Sequence, residues 1–296
     1  MKTSALIRIF VYAFIALVLT GVLAWGIGNN NHMNFFSFNL FGGSGISYND
    51  DDYTIGDGEV PKDQVSEIEV NWTAGEVKIV PYAGDTTGPE VIFFTEETGT
   101  PLEEDYEMRY KVEDGTLKIM FAKPNVKFQG VFKSLDKDLV INVPVGTELS
   151  DITIDTVSAD IDLESISVQN QFKLATVSGD IDGALLIADV IEAETVSGQI
   201  RWNEGKFNTA SAESVSGEIN VAFLTMPTNT QIETVSGAMT LGLPENDGFK
   251  VDYDKVSGDF DCEFNVKINK NMAMYKNGES KIKLETVSGN MKILAI

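Results

Sequence analysis

The sequence predicts an all-β fold, a parallel β-solenoid of about 20-residue coils preceded by one N-terminal transmembrane helix. Three observations predict it. A V-S-G or V-S-A motif occurs seven times, its valines 20, 19, 19, 20, 21 and 31 residues apart. Apolar and polar residues alternate on both sides of each motif. A stretch of 20 residues without a charge, 9–28, lies close to the start.

That stretch, IFVYAFIALVLTGVLAWGIG, would span about 30 Å as a helix, the thickness of a bilayer's hydrocarbon core. Lys2 and Arg8 precede it and no acid occurs before Asp50, so the positive-inside rule keeps the N-terminus in the cytoplasm and exports the rest. A cleaved signal peptide has a shorter apolar core and a small-residue cleavage site. VLAWGIG is a poor site, which favours a retained anchor. Residues 29–59, rich in Asn, Gly and Asp, read as a flexible tether, with Phe35, Phe36, Phe38 and Phe41 able to rest on the headgroups.

The formal net charge is −23, and leaving Lys2 and Arg8 inside the cell gives the exported part 20 bases against 45 acids. Such a surface repels nucleic acid and anionic lipid, so no nucleic-acid partner is expected. With one cysteine, Cys262, and one histidine, His32 in the tether, neither an intrachain disulfide nor a Cys/His zinc cluster can form. Stability must come from burial.

Aligned on the valine, the repeats expose their columns. Five residues before it stand Ile152, Phe172, Ile191, Ala210, Thr230, Val251 and Ile282; three before, Ile154, Leu174, Ala193, Ala212, Ile232, Tyr253 and Leu284. Four after it stand Ile161, Ile181, Ile200, Ile219, Met239, Phe260 and Met291; six after, Leu163, Gly183, Trp202, Val221, Leu241, Cys262 and Ile293. A spacing of two within each half is the signature of a strand with one buried face. The two halves are out of phase by an odd number, so alternation breaks once per coil. Ser-Gly is the natural corner, since glycine accepts positive φ. The corner residues are Ser178 and Gly179, Ser197 and Gly198, Ser216 and Gly217, Ser236 and Gly237, Ser257 and Gly258, and Ser288 and Gly289. Whether the valines or the preceding threonines face inward is open from alternation alone. Burying a valine is worth about 1.5–3 kcal/mol, which favours a bulge that turns the valines in.

A degenerate copy at 68–79 sets Ile68 and Val70 before a corner and Val77 and Ile79 after it. Strand-like runs follow at 91–95, 108–112, 117–121 and 139–143. The expected organisation is therefore 1–28 cytoplasmic tip and transmembrane helix, 29–59 tether, 60–145 irregular β cap and early coils, and 146–296 regular coils. The last rung, ending 291–296, carries no following cap and is expected to pair end to end with another copy.

Two residues before the valine runs an acidic column: Asp155, Glu194, Glu213, Glu233, Asp254 and Glu285, interrupted by Ala175. Asp160, Asp162, Asp180, Asp182, Asp259 and Asp261 follow the corner. Calcium takes such oxygen ligands. No EF-hand loop or G-G-x-G-x-D nonapeptide is present, so solvated acidic faces are the expectation, with no metal and no cofactor. Repeated corner serines have no base beside them and read as turn hydrogen-bonders, not nucleophiles. Near the long interval at 266–280, Lys267, Lys270, Lys276, Lys281 and Lys283 form a local basic patch. No catalytic residues are assigned, and the chain is not expected to be an enzyme. A carbohydrate-active β-helix enzyme would need a grooved acid pair.

The repeated TVSG-x-I, with its final K-I-K-L-E-T-V-S-G-N-M-K-I, resembles the putative-adhesin family of β-strand-repeat (TVSG-repeat) surface proteins of Gram-positive bacteria. That family is a domain of unknown function also found in Lia-type envelope-stress proteins, and the likeness covers about 60–296. It implies a cell-surface location with the C-terminal domain extracytoplasmic. The implied role is adhesin-like interaction or scaffolding, with an envelope protein or cell-wall polymer as partner. The alternative is a regulatory part of an envelope-stress response.

Overall fold

The computed structural model describes residues 48–84, 90–124, 126 and 137–296. The expected transmembrane stretch, His32 and the tether phenylalanines lie outside the described residues. Among the described residues no helix is long and apolar enough to cross a membrane. The described chain is all-β apart from single 3-10 turns at Lys62–Gln64 and Glu104–Tyr106.

One end is built by β1 (Thr54–Ile55), β2 (Gly58–Pro61), β3 (Glu67–Tyr82), β4 (Val91–Thr98), β5 (Arg109–Glu113), β6 (Thr116–Met120) and β7 (Lys137–Pro144). A regular climb follows through β8 (Leu149–Glu164), β9 (Val168–Thr176), β10 (Ile181–Ala184), β11 (Val190–Thr195), β12 (Ile200–Gly205), β13 (Thr209–Ser216), β14 (Ile219–Phe223), β15 (Asn229–Ser236) and β16 (Met239–Leu243). The other end comprises β17 (Gly248–Ser257), β18 (Phe260–Cys262), β19 (Lys267–Asn269), β20 (Met272–Lys276), β21 (Ser280–Ser288) and β22 (Met291–Ala295).

Each coil contributes one strand to each of two parallel ladders. In the ladder before the corner, Ile152, Phe172, Ile191, Ala210 and Thr230 are successive partners. In the ladder after it, Ile161, Ile181, Ile200, Ile219 and Met239 are. Both sets are inward columns of the repeat and all are buried. The degenerate copy takes its expected place, with β3 pairing β8 in parallel from Glu67↔Asp151 to Ile79↔Leu163. A short third side closes the regular coils. Ser167, Ile187 and Lys206 bridge in parallel there, and Ile166, Leu186 and Phe207 turn inward. Phe207 stacks edge-on to Trp202 at 6.1 Å and to Phe223 at 6.4 Å, filling the width between the ladders.

The ends depart from sequential stacking. β3 lies between β8 on one side and β6 with β7 on the other, so the rung nearest that end is made after its neighbour. Antiparallel strands finish it: β5 on β6, β1 on β5, β4 on β7 and β2 on β4. Part of the expected tether is therefore folded, because 54–55 and 58–61 are strands of this cap. At the other end β21 and β22 sit between β15–β16 and β17–β18. The rung ending 291–296 is thus not an open end, contrary to expectation. The outermost rung is β17–β18, and β20 covers the β17 edge antiparallel, with β19 behind it. Antiparallel strands at the first end, and along β17 at the other, replace a repeating parallel edge by one that no further coil can extend in register.

Candidate functional site

The corner decides which features are available to a partner. Thr176 and Thr195 are buried, whereas Val177 and Val196 are half-buried on the outside. The valine column therefore faces outward, against the burial argument. Strict alternation continues up to the motif, and at Thr176 and Thr195 the inward hydroxyls satisfy the corner backbone. Gly179 N–H donates to Thr176 Oγ1 and Gly198 N–H to Thr195 Oγ1, both at 3.0 Å. The same hydroxyls donate to the coil before, Thr176 to Ala159 O at 3.4 Å and Thr195 to Gly179 O at 3.3 Å. An unsatisfied buried amide costs about 1–3 kcal/mol, comparable to what an inward valine would gain.

The corner glycines are also used differently than expected. Only Gly258 has positive φ, +105°. At Gly198 the requirement is space, since a Cβ there would lie 1.7 Å from Gly179 O. The corner serines are exposed, and Ser178, Ser197 and Ser257 place Oγ 3.3–3.4 Å from a valine carbonyl of the adjoining coil. They serve the ladder.

The acidic column is assembled in space. Glu194, Glu213, Glu233, Glu285 and Asp254 are consecutive partners across adjacent strands, and Asp155 is separated from Glu194 by Ala175. Lys283 enters this stack 2.6 Å from Glu233 and 3.1 Å from Glu285. Burial, reinforced by Glu213 and Glu192, pushes Glu194 up to about 7. Burial also raises Asp155, Glu213 and Glu285 above the ordinary carboxylate range. Glu194 Oε2 is buried and makes no hydrogen bond. Among the described residues no three His, Cys, Asp or Glu side chains converge as a metal site.

The stack makes a testable demand on stability. The folded pKa of Glu194 lies above its ordinary 4.5, so between about pH 4.5 and 7 the folded state holds more protons than the unfolded one. Its contribution is full below that window and lost as pH rises through it. Acidification from pH 7.5 to 5.5 should stabilise the protein, by about 1–2 kcal/mol from Glu194 after allowing for solvent screening. Glu194→Gln should be more stable than wild type at pH 7.5 and show a flatter pH dependence in denaturant melts. An unchanged slope would contradict the assignment.

The acids after the corner are largely consumed by structure. Asp160 Oδ1 accepts from Asp180 N–H and Asp180 Oδ1 from Gln199 N–H, both at 2.8 Å. Asp162 pairs with Lys78 at 2.6 Å, and Arg201 bridges Asp180 and Asp182. Asp259 and Asp261 stand apart on the outermost rung. The basic patch disperses: Lys281 and Lys283 belong to β21 inside the ladder, and only Lys267, Lys270 and Lys276 lie in the end hairpin. Cys262 is half-buried, and burial raises its thiol pKa.

A buried ion pair in the first cap carried no sequence signal. Lys137, whose side chain has no exposed surface, donates to Glu96 Oε2, Tyr106 O and Phe121 O, and lies over the Phe121 ring. Burial pulls its ammonium down to about 8 and pushes Glu96 up. With the Lys137 side chain sealed from solvent, the pair organises the cap.

Two flat ladders, stitched at a Thr-Ser-Gly corner and carrying a stacked acid row, define a repeat protein of β-solenoid-like architecture. The profile of the Toastrack DUF4097 family matches residues 95–209 and 188–294, and the chain belongs to that family. No protein of curated function matches the sequence. Solved structures with a similar chain path include an adhesin described as putative from Bacteroides fragilis, at 14% identity over 81% of this chain and 97% of that one, TM-score 0.48. Another, from Parabacteroides distasonis, is 15% identical over 82% and 98%, TM-score 0.42. A protein from the same species, described as a putative lipid-binding protein, is 14% identical over 80% and 96%, TM-score 0.37.

Proposed function

We propose that the chain is a membrane-anchored, extracytoplasmic parallel β-solenoid that holds another envelope component against the outer faces of its ladders, as an adhesin-like or scaffold protein, and performs no chemistry. The observation that carries this is repetition of one polar chemistry across a flat face. Thr209, Ser211 and Glu213 on β13 stand in register with Asn229, Gln231 and Glu233 on β15, at the strand spacing of about 4.8 Å. Such a face suits an extended partner with its own repeat, a cell-wall polymer or a strand-rich protein surface. The formal charge of −23 favours a neutral or cationic partner and disfavours polyanions. The apolar stretch 9–28, with its basic flank, supports the anchor and the exported orientation.

The test is saturable binding of the full chain, in mild detergent, to isolated wall and membrane fractions of the source cell, with and without calcium. The expected result is saturation on one fraction, weakened when Ser211 and Gln231 are both replaced by Lys. Absence of binding to every fraction, or binding indifferent to that replacement, would count against the reading.

A further inference from the structure

The rung made by β21 and β22 follows the outermost rung in the chain but precedes it in space. We propose that this rung is an exchangeable insert, and that two copies of the chain associate by trading it, residues 280–296 of each entering the slot of the other.

The two walls of the slot match each other as well as they match the insert. Thr230, Ile232, Glu233 and Ser236 of β15 meet Ile282, Leu284, Glu285 and Ser288. Val251, Tyr253, Asp254 and Ser257 of β17 meet the same four from the other side. With the insert withdrawn, β17 can close on β15 without a change of register, so an intermediate that has lost its rung keeps a capped core. The seam on the β15 side is also poorly satisfied. Thr230, Thr234 and Thr286 each bury a hydroxyl oxygen there that makes no hydrogen bond within the protein. In the same corner column Thr176 and Thr195 are hydrogen-bonded and Ser214 on β13 is not, so the unsatisfied run extends from β13 through β15 into the insert.

The connection into the insert is short and strained. β20 lies on one side of β17 and β21 on the other, so residues 277–279 must cross the start of β17. They cross at Gly248, φ +140°, where a Cβ would lie 2.4 Å from Asn277 Oδ1. Lys276 and Gly278, either side of Asn277, are at φ 44° and 71°. Straightening such a hinge relieves strain, and exchange restores every contact in the partner copy, including burial of Ile282, Leu284, Met291 and Ile293.

The slot also selects its guest. Glu233 is met by Lys283 at 2.6 Å, and only glycine fits at 289, where a Cβ would lie 1.8 Å from Gly237 O. A guest strand therefore needs both residues at this spacing, together with apolar residues at the positions of 282, 284, 291 and 293. A second copy of this chain supplies them all.

Ser236 and Ser288 are exposed register partners, which allows a disulfide test on the full chain in a Cys262→Ala background. Two differently tagged single variants, Ser236→Cys and Ser288→Cys, are warmed together toward the unfolding midpoint, cooled and oxidised. Neither can form this link within itself. Exchange predicts a mixed covalent dimer several-fold above that given by Ser197→Cys with Ser288→Cys, which are not neighbours. Yields equal to that control would overturn the proposal. The double variant Ser236→Cys/Ser288→Cys must link internally, and its failure to do so would overturn the slot itself.

Discussion

Replacing Gly198 by alanine is expected to destabilise the protein by about 3 kcal/mol or more, although the residue is small, buried and in ordinary backbone geometry. A Cβ at this position would meet Gly179 O at 1.7 Å and its carbonyl carbon at 2.5 Å. Both are backbone atoms of the adjoining coil, so no rotamer change relieves the overlap. The ladder would have to open, and opening breaks the bond from Thr195 Oγ1 to Gly179 O in the adjoining coil. The same close approach recurs at the next coil, where a Cβ on Gly217 would lie 1.9 Å from Gly198 O. Ala159 is the instructive exception. It occupies the same motif position but is paired with Gly75, whose φ of +97° carries the chain along a different path. Ala159→Gly should therefore cost under about 1 kcal/mol, mostly chain entropy. Urea melts of the three proteins decide the matter: Gly198→Ala with a wild-type midpoint would remove the steric account.

That contrast also explains what the sequence could disclose. Period and alternation reveal the inward columns, and Ile152, Ile161 and their successors lie where alternation puts them. The outward direction of the valines goes with inward hydroxyls that bond corner amides at Thr176 and Thr195, a preference that alternation does not encode. The turn from the second ladder to the third side was equally invisible. It is made by Ser165, Leu185 and Glu204 at φ 53–58°, residues that carry no glycine signal. The out-of-order ends were hidden because the motif in β21 and β22 is as good as any other; register is legible in the columns, spatial order is not. The acidic column was legible as a stack. Its uneven electrostatics depend on neighbours such as Glu192 and Lys283, which belong to a column of mixed chemistry.

The Lys137–Glu96 pair belongs to the same class of hidden feature, and its disruption carries the second large expected effect. Lys137→Met should destabilise by about 3–5 kcal/mol, because removing one member of a buried pair strands the other. Glu96 sits at 8% side-chain exposure beside it and also accepts Met108 N–H at 3.0 Å, so the carboxylate is fixed in place and cannot swing to solvent without losing that amide. The carbonyls of Tyr106 and Phe121 lose their donor as well. Trp72 Nε1–H donates to Lys137 O at 2.8 Å, a backbone contact that the substitution leaves intact, so the strand should stay in place. Adding Glu96→Gln removes the stranded charge while keeping an acceptor for Met108. The double variant should recover about 1–2 kcal/mol, and the remaining loss belongs to the two carbonyls. If the double variant were no more stable than Lys137→Met alone, the charge would not be the source of the penalty. The cap would then depend on the ammonium chiefly as a three-way hydrogen-bond donor joining β4, β7 and the 3-10 turn at Glu104–Tyr106.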